Sequence, residues 1–278
     1  MSSLPSDLAH RRAEIDKYDR EIHRLLIERA KVVYGVMRAK AAATAAGEVT
    51  PPFRPGREAE VLRALVARHE GEFPQVSLLR IWREIMSGAT RMQAVQNIVV
   101  PAAFGPGWVL ARDHFGMGAE YRAAESAAEV LELVRRQEVA AAVVPLPASE
   151  GDGAWWRELL DNPSQKGAPQ VVARLPFFGM AEGLGSALVL SAFPPDASSE
   201  DHGVLGIRLG EGADLAPALG GLEAAGISLP AEPVQAGRDA WVEVGGLASA
   251  EGAALMSLQG APGVDHAMAL GGYAVPLA

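Results

Sequence analysis

Apolar residues over the first forty or so positions recur with a helical period: Leu8, Ile15 and Ile22, then Tyr18, Leu25 and Val32, then Leu26, Val33 and Val36. From Asp7 to Ala46 there is no proline and a single glycine, Gly35, so the spacing predicts one long amphipathic helix. At about 1.5 Å per residue that helix runs to roughly 60 Å, longer than a small domain is wide, and its stripe needs a second chain or further helices to cover it. The prolines and glycines of GEVTPPFRPG predict a linker. A second helix is predicted from Arg57, in REAEVLRALVARH, and a third from Gln75 to Gln96, after the breaker GEFP.

Beyond Asn97 the pattern changes to short apolar runs between glycines and prolines: NIVV, AAAVVPLP, QVVARL and SALVLSAF. With helical ESAAEVLELVRRQE between the first two, residues 97–195 read as a small α/β domain. The GPG of AAFGPGWVLARDHFG reads as a plain turn, with an anion-binding glycine loop as the other reading. The remaining residues read strand (VLGIRLG), helix (LAPALGGLEAAG), strand (ISLPAEPV), strand (DAWVEVGGL), helix (SAEGAALMSLQGA) and strand (VDHAMALGGYAVPL). This βαββαβ order predicts a split-βαβ, ferredoxin-like unit.

Charge sharpens the division. Residues 1–96 carry 16 Lys and Arg against 12 Asp and Glu, and the rest carry 9 against 22, so a mildly basic helical module precedes an acidic one. The bases are interleaved with acids and no aromatic-plus-basic platform occurs, so no nucleic-acid partner is expected. With 278 residues, 49% of them hydrophobic, the chain can bury more than one core. No apolar run approaches the ~18 residues of a membrane span and the start, MSSLPSDLAHRRAEID, is polar, so a cytoplasmic chain without a membrane partner is expected. The lack of cysteine rules out disulfides, thiolate catalysis and Cys-ligated metals. Six histidines without an HExxH pattern give no recognisable metal site, and no cofactor is expected.

Polar side chains stand where the helical stripes call for hydrophobes. Arg29 takes a place in the Leu8, Ile15, Ile22, Val36 series, and Lys40, 11 residues on, lies about 20° from it in phase. Glu58 shares a face with Leu62 and Leu65, and Gln93 follows Met86 and Ala89 at spacings of seven and four. Polar groups aimed at a helical core are costly unless something fills them. Each also has an ordinary alternative: a snorkelling Arg29, a helix-terminal Lys40, a first-turn Glu58 on the helix dipole, a surface Gln93. Arg12 lies 17 residues before Arg29, about 25 Å away along a straight helix and about 100° off in phase. The two cannot grip one small molecule within one chain, so Arg12 is either a solvated base or serves a partner's pocket.

The order LAHRRAEIDKYDREIHRLLIERAKVVYGVMRAK, FRPGREAEVL, LRIWREIMSGATRMQ resembles the all-helical chorismate mutases, whose domain is an intertwined dimer of three-helix chains. The resemblance covers roughly residues 7–96. It implies that Arg12, Arg29, Lys40, Arg57, Glu58 and Gln93 are site residues, with Arg12 contributed across a homodimer interface and Arg54 beside them. Two positions depart from the pattern: Arg54 stands where an acidic residue is common and Ala89 where a serine or threonine is, leaving the substrate hydroxyl to Glu58, alone or with Thr90. The implied reaction is the unimolecular rearrangement of chorismate to prephenate. That shift needs no nucleophile, metal or obligatory proton transfer; it needs the dianion held in its reactive conformer and charge stabilised on the breaking ether oxygen. Arginine forks suit the carboxylates, and Lys40 and Gln93 suit the ether oxygen.

Further on, FGPGWVLARDHFG and EVAAAVVPLPAS resemble a shortened prephenate dehydratase domain. Its catalytic features are mostly missing: Trp108 stands at the loop threonine, PLPAS replaces an E-N-S ending, and AEGLGSALVLS lacks a T-R-F triplet. The final unit resembles an ACT regulatory domain, implying an amino-acid effector, with Ala213-Asp214-Leu215 in place of G-A-L and Pro233-Val234-Gln235-Ala236 in place of E-S-R-P. The expected organisation is a helical mutase domain at 1–96, a dehydratase-like α/β domain at 97–198 and an ACT-like α+β domain at 199–278. The expected function is chorismate mutase with a non-catalytic C-terminal region. The alternatives are a bifunctional mutase–dehydratase and a non-catalytic scaffold that binds an aromatic amino acid or a pathway enzyme.

Overall fold

The computed structural model describes residues 4–45, 51–161, 167–179 and 183–277. The chain divides into two compact units: Met1–Pro52 with Met92–Ala94, and Phe53–Arg91 with Val95–Ala278. The first unit is dominated by α1 (Leu4–Ala45), a single 42-residue helix. Pro5 falls in its first turn, where a missing N–H costs nothing. Ion pairs three residues apart, Arg24 with Glu21 and Lys31 with Glu28, line its exposed surface, where solvent screens them. Its predicted last residue, Ala46, and linker residues 47–50 lie outside the described residues.

In the second unit, two helices, α2 (Pro55–Arg68) and α3 (Gln75–Arg91), precede β1 (Asn97–Pro101), α4 (Gly105–Phe115), β2 (Glu120–Ala124), α5 (Ala127–Arg135) and β3 (Ala141–Pro145). A 3-10 turn at Gly151–Trp156 runs into α6 (Arg157–Asp161), followed by β4 (Gln170–Leu175) and β5 (Ala187–Ser191). The chain ends with β6 (Asp201–Leu209), α7 (Ala216–Ala224), β7 (Val234–Ala236), β8 (Asp239–Gly245), α8 (Leu247–Glu251), α9 (Ala253–Gln259) and β9 (Val264–Ala274). A helical N-terminal region is thus followed by one large mixed sheet of nine strands, in the order β2-β1-β3-β5-β4-β9-β6-β8-β7.

Two topologies meet in that sheet. Strand β1 runs parallel to β2 and β3, as crossover helices require, while β5 runs antiparallel to β3 and β4. The last four strands are all antiparallel neighbours in the order β9-β6-β8-β7, the arrangement a βαββαβ chain adopts when its third strand inserts between the first and second. The halves join through one parallel pair, Val171 with Gly271. Gly271 has φ +107°, and a Cβ there would stand 2.2 Å from the Val171 carbonyl oxygen, so only glycine lets the strands meet. Beside the joint, the Tyr273 hydroxyl donates to Glu243 Oε2 at 2.5 Å and accepts from Arg174 Nη1 at 3.1 Å. Burial and the Glu243 charge push the phenol pKa up, so it stays a donor across β4, β9 and β8.

Trp155, Trp156 and Trp241 pack with Val99, Val144 and Leu188 on one face of the sheet. On the other face Ile98, Val100 and Val143 bury Leu110 and Phe115 of α4. Helices α7–α9 cover Leu205, Ile207 and Val242, while α2 and α3 close Leu62, Leu65, Leu79 and Met86 over Phe177, Phe178 and Ala274.

The structure corrects several local expectations. The third helix ends at Arg91, not Gln96, because Gln96 is drawn into the sheet: its carbonyl accepts from Glu120 N at 2.9 Å and its buried side chain accepts from Ser87 Oγ at 3.2 Å. The turn expected at GPG opens an 11-residue helix, α4, whose early proline suits a first turn. Strand β2 was not anticipated, since EYRAA at the sheet edge shows no alternation. The strand expected over ISLPAEPV is misplaced: only its last residue, Val234, belongs to β7 (Val234–Ala236), which begins where no proline blocks pairing, and the last predicted helix breaks at Gly252 into α8 and α9.

Candidate active site

The start of α2 gathers three of the sequence-predicted residues. Arg54 is its N-cap residue and offers no side-chain acceptor, and Pro55 carries no N–H. The two orphan amides that follow are taken by a carboxylate from the β5–β6 connection: Gly56 N donates to Asp196 Oδ1 at 2.9 Å and Arg57 N to Asp196 Oδ2 at 3.0 Å. Glu58 N closes the first helical bond on the Arg54 carbonyl at 3.0 Å. The Arg54 guanidinium also meets Asp196, Nε to Oδ2 at 3.3 Å. The Arg57 side chain is exposed.

Glu58 points into the helix pair, where Arg83 Nη1 of α3 donates to its Oε2 at 2.6 Å. Burial pushes the Glu58 carboxyl above its ordinary pKa; Arg83 draws it back and the charge of Asp196 adds to the rise. Burial lowers the Arg83 pKa in turn, opposed by the charges of Glu58 and Asp113. Arg83 is 3% exposed and lies 5.4 Å from the centroid of the Phe177 ring, so apolar and aromatic surface flanks the ion pair. Arg83 holds Glu58 through Oε2, which fixes the orientation of the carboxyl group, a side chain whose oxygens can accept from a hydroxyl.

Beside this pair lies His114, buried in an edge-to-face cluster with Phe53 and Phe115. Burial, helped by the Arg83 charge, holds its imidazole well below its ordinary pKa. Below about pH 6.5 the unfolded chain takes up a proton that the folded site refuses, so stability falls with pH until the folded imidazole itself titrates. His114→Phe is therefore expected to flatten the acid limb of the stability curve between about pH 6.5 and 5. Urea midpoints at the two ends of that range test this; a variant as acid-sensitive as wild type would contradict it.

The remaining predicted residues belong to the first unit. Arg12 and Arg29 are exposed on α1, 17 residues apart on one continuous helix, so within one chain they address different regions of space. Lys40, in the last turns of α1, is half-buried, and its Nζ donates to the Pro51 carbonyl at 3.0 Å. Gln93 is half-buried in the turn after α3 rather than on the helix, whereas Ala89 and the buried Thr90 are helical. Two residues that sequence reasoning missed, Arg83 and Asp196, hold the α2 group together.

Downstream, the second glycine of Gly-Pro-Gly serves packing: a Cβ at Gly107 would stand 2.3 Å from the Phe104 ring, which with Trp108 leans on the core. Asp239 is clamped by Arg157 and Arg208 at 3.1 and 2.7 Å. Ala181 and Glu182, within the segment compared with T-R-F, lie outside the described residues. No group of three or more His, Asp or Glu able to hold a metal occurs among the described residues, and none of their helices is long and apolar enough to cross a membrane.

Residues 11–94 match the family model described as chorismate mutase type II. The bifunctional chorismate mutase/prephenate dehydratase of Neisseria gonorrhoeae is 31% identical over 173 residues, covering 60% of this chain and 45% of that protein. A protein of the same description from Aquifex aeolicus is 30% identical over 148 residues, covering 50% of this chain and 39% of its own. The chain thus spans less than half the length of these curated relatives. A solved prephenate dehydratase from Streptococcus mutans superposes with a TM-score of 0.46 at 22% identity, covering 65% of this chain and 98% of that one. The N-terminal region carries a type II chorismate mutase domain, and its homologues are mutase/dehydratases.

Proposed function

We propose that the chain is a chorismate mutase that rearranges chorismate to prephenate, and that it works as a homodimer. The observation that carries this reading is the type II chorismate mutase match over residues 11–94, a segment that holds every predicted site residue. In this reading Arg29, supported by Arg57 and Arg54, forks onto substrate carboxylate, and Arg12 reaches a second carboxylate from the partner subunit. Lys40 and Gln93 donate to the ether oxygen as negative charge builds there, and Glu58, oriented by Arg83, accepts the ring hydroxyl. Orientation of the dianion supplies the rest of the rate enhancement. The dimer is supported by α1 itself: Ile15, Tyr18, Ile22 and Val32 are each more than half exposed, a stripe that a second copy would bury.

The domain division at 96 and 198 remains part of this proposal, as do a dehydratase-like second part and an ACT-like third part that binds an amino-acid effector. Support for the third comes from its βαββαβ strand order. A bifunctional mutase–dehydratase is the second reading, favoured by one observation: the 173-residue likeness to the Neisseria protein is about twice as long as the mutase segment. Turnover of chorismate with the product identified before and after acid separates the two, since prephenate turns to phenylpyruvate without acid only if a dehydratase is active.

Sharing of the site between subunits has its own test. Arg12→Ala and Arg29→Ala are each expected to be inactive alone, and mixing them under subunit exchange is expected to restore up to about a quarter of wild-type activity, because some heterodimer pockets carry both arginines. No recovery despite demonstrated exchange would place both residues on one chain's pocket.

A further inference from the structure

We propose that Asp196 is a positioning residue of the mutase site, a carboxylate delivered by the β5–β6 connection that fixes the first turn of α2 and thereby the placement of Arg57 and Glu58. The inference rests on the mutase reading above. Helix α2 cannot start well from its own sequence: its N-cap is an arginine without a capping acceptor, and a proline follows. Asp196 repairs this with both oxygens at once, on Gly56 N and Arg57 N, and places a negative charge at the positive end of the helix. The approach is built in: a Cβ at Gly56 would stand 2.1 Å from the Asp196 carbonyl oxygen, so residue 56 must be glycine for this connection to lie on the helix start.

The same face of α2 stays engaged over its next two turns. Glu60 Oε1 accepts from Ser199 N at 2.9 Å and from Ser199 Oγ at 2.7 Å. Arg63 donates to Ser198 Oγ at 2.9 Å, to the Glu200 carbonyl at 2.9 Å and to the Val275 carbonyl at 2.8 Å. Residues 56, 60 and 63 recur at helical spacing, so the contact is one continuous seam and not a chance touch. That seam runs into β6, which starts at Asp201, and meets the end of β9 at Ala274, so two paired strands of the βαββαβ unit carry the helix that bears Arg57 and Glu58. This gives the C-terminal region a task in mutase chemistry that does not depend on dehydratase activity or on an effector.

The test uses the full-length chain with Asp196→Ala and the milder Asp196→Asn. Amide exchange at Gly56 and Arg57 is expected to speed up about tenfold in Asp196→Ala, the cost of an unmade cap, and less in Asp196→Asn, which keeps one acceptor. For chorismate, kcat/KM is expected to fall about tenfold or more in Asp196→Ala, with kcat carrying most of the loss and Asn restoring part of it. Unchanged amide exchange would overturn the cap. Faster exchange with unaltered kcat and KM in both variants would overturn the positioning role, leaving only a structural one. If the wild-type chain does not turn over chorismate, the mutase reading falls and takes the positioning role with it, while the amide data still report whether the cap exists.

Discussion

Arg83→Leu is expected to destabilise the fold by about 3–5 kcal/mol, because it leaves Glu58 buried without its cation. The pair lies at 2.6 Å, with Arg83 almost fully enclosed. The loss should shrink as the pH is lowered, since burial already pushes the Glu58 carboxyl up and without Arg83 it neutralises earlier. The double variant Arg83→Leu with Glu58→Leu is expected to regain most of the stability, as apolar pairs often replace buried ion pairs without loss, and to remain catalytically impaired. Urea unfolding at two pH values reads the cycle. A single variant that costs under about 1 kcal/mol at neutral pH would mean that the pair is solvated and that Arg83 does not orient Glu58.

The second large effect concerns charge at the ether oxygen. Lys40→Ala is expected to lower kcat by about 10²–10³-fold with KM little changed, because a donor to a developing oxyanion acts mainly in the transition state. Gln93→Ala should act in the same direction. Lys40 also donates to the Pro51 carbonyl, so a purely structural role predicts something different: a lower unfolding midpoint with kcat retained. Steady-state kinetics alongside thermal unfolding separate the two, and a change confined to KM would contradict the assignment.

What the sequence revealed follows the range of the forces involved. Helix α1 was legible because its apolar period runs from Leu8 to Val36 with no proline to break it, and the βαββαβ order because apolar strand runs and Ala/Leu-rich helical stretches follow one another there, although β7 and the break between α8 and α9 were not foreseen. Strand β2 was not, since an edge strand with mostly exposed side chains has no reason to alternate. Helix α4 hid behind Gly-Pro-Gly, which reads as a turn although proline fits a helix start. Arg83 could have been found: it lies between Leu79 and Met86 on the buried face of α3, the same misplaced charge that marked Glu58. Asp196 could not, because the Gly56 amide it caps lies 140 residues earlier and no local pattern records the meeting. The single-pair joint at Gly271 is likewise a long-range fact.

The most direct test of the account is to follow chorismate consumption by the purified full-length protein and identify the product before and after acid treatment. The account predicts enzyme-dependent formation of prephenate, with phenylpyruvate arising only after acid. Phenylpyruvate formed without acid would contradict the reading of a non-catalytic C-terminal region and favour the bifunctional one. No turnover at all would contradict the mutase itself.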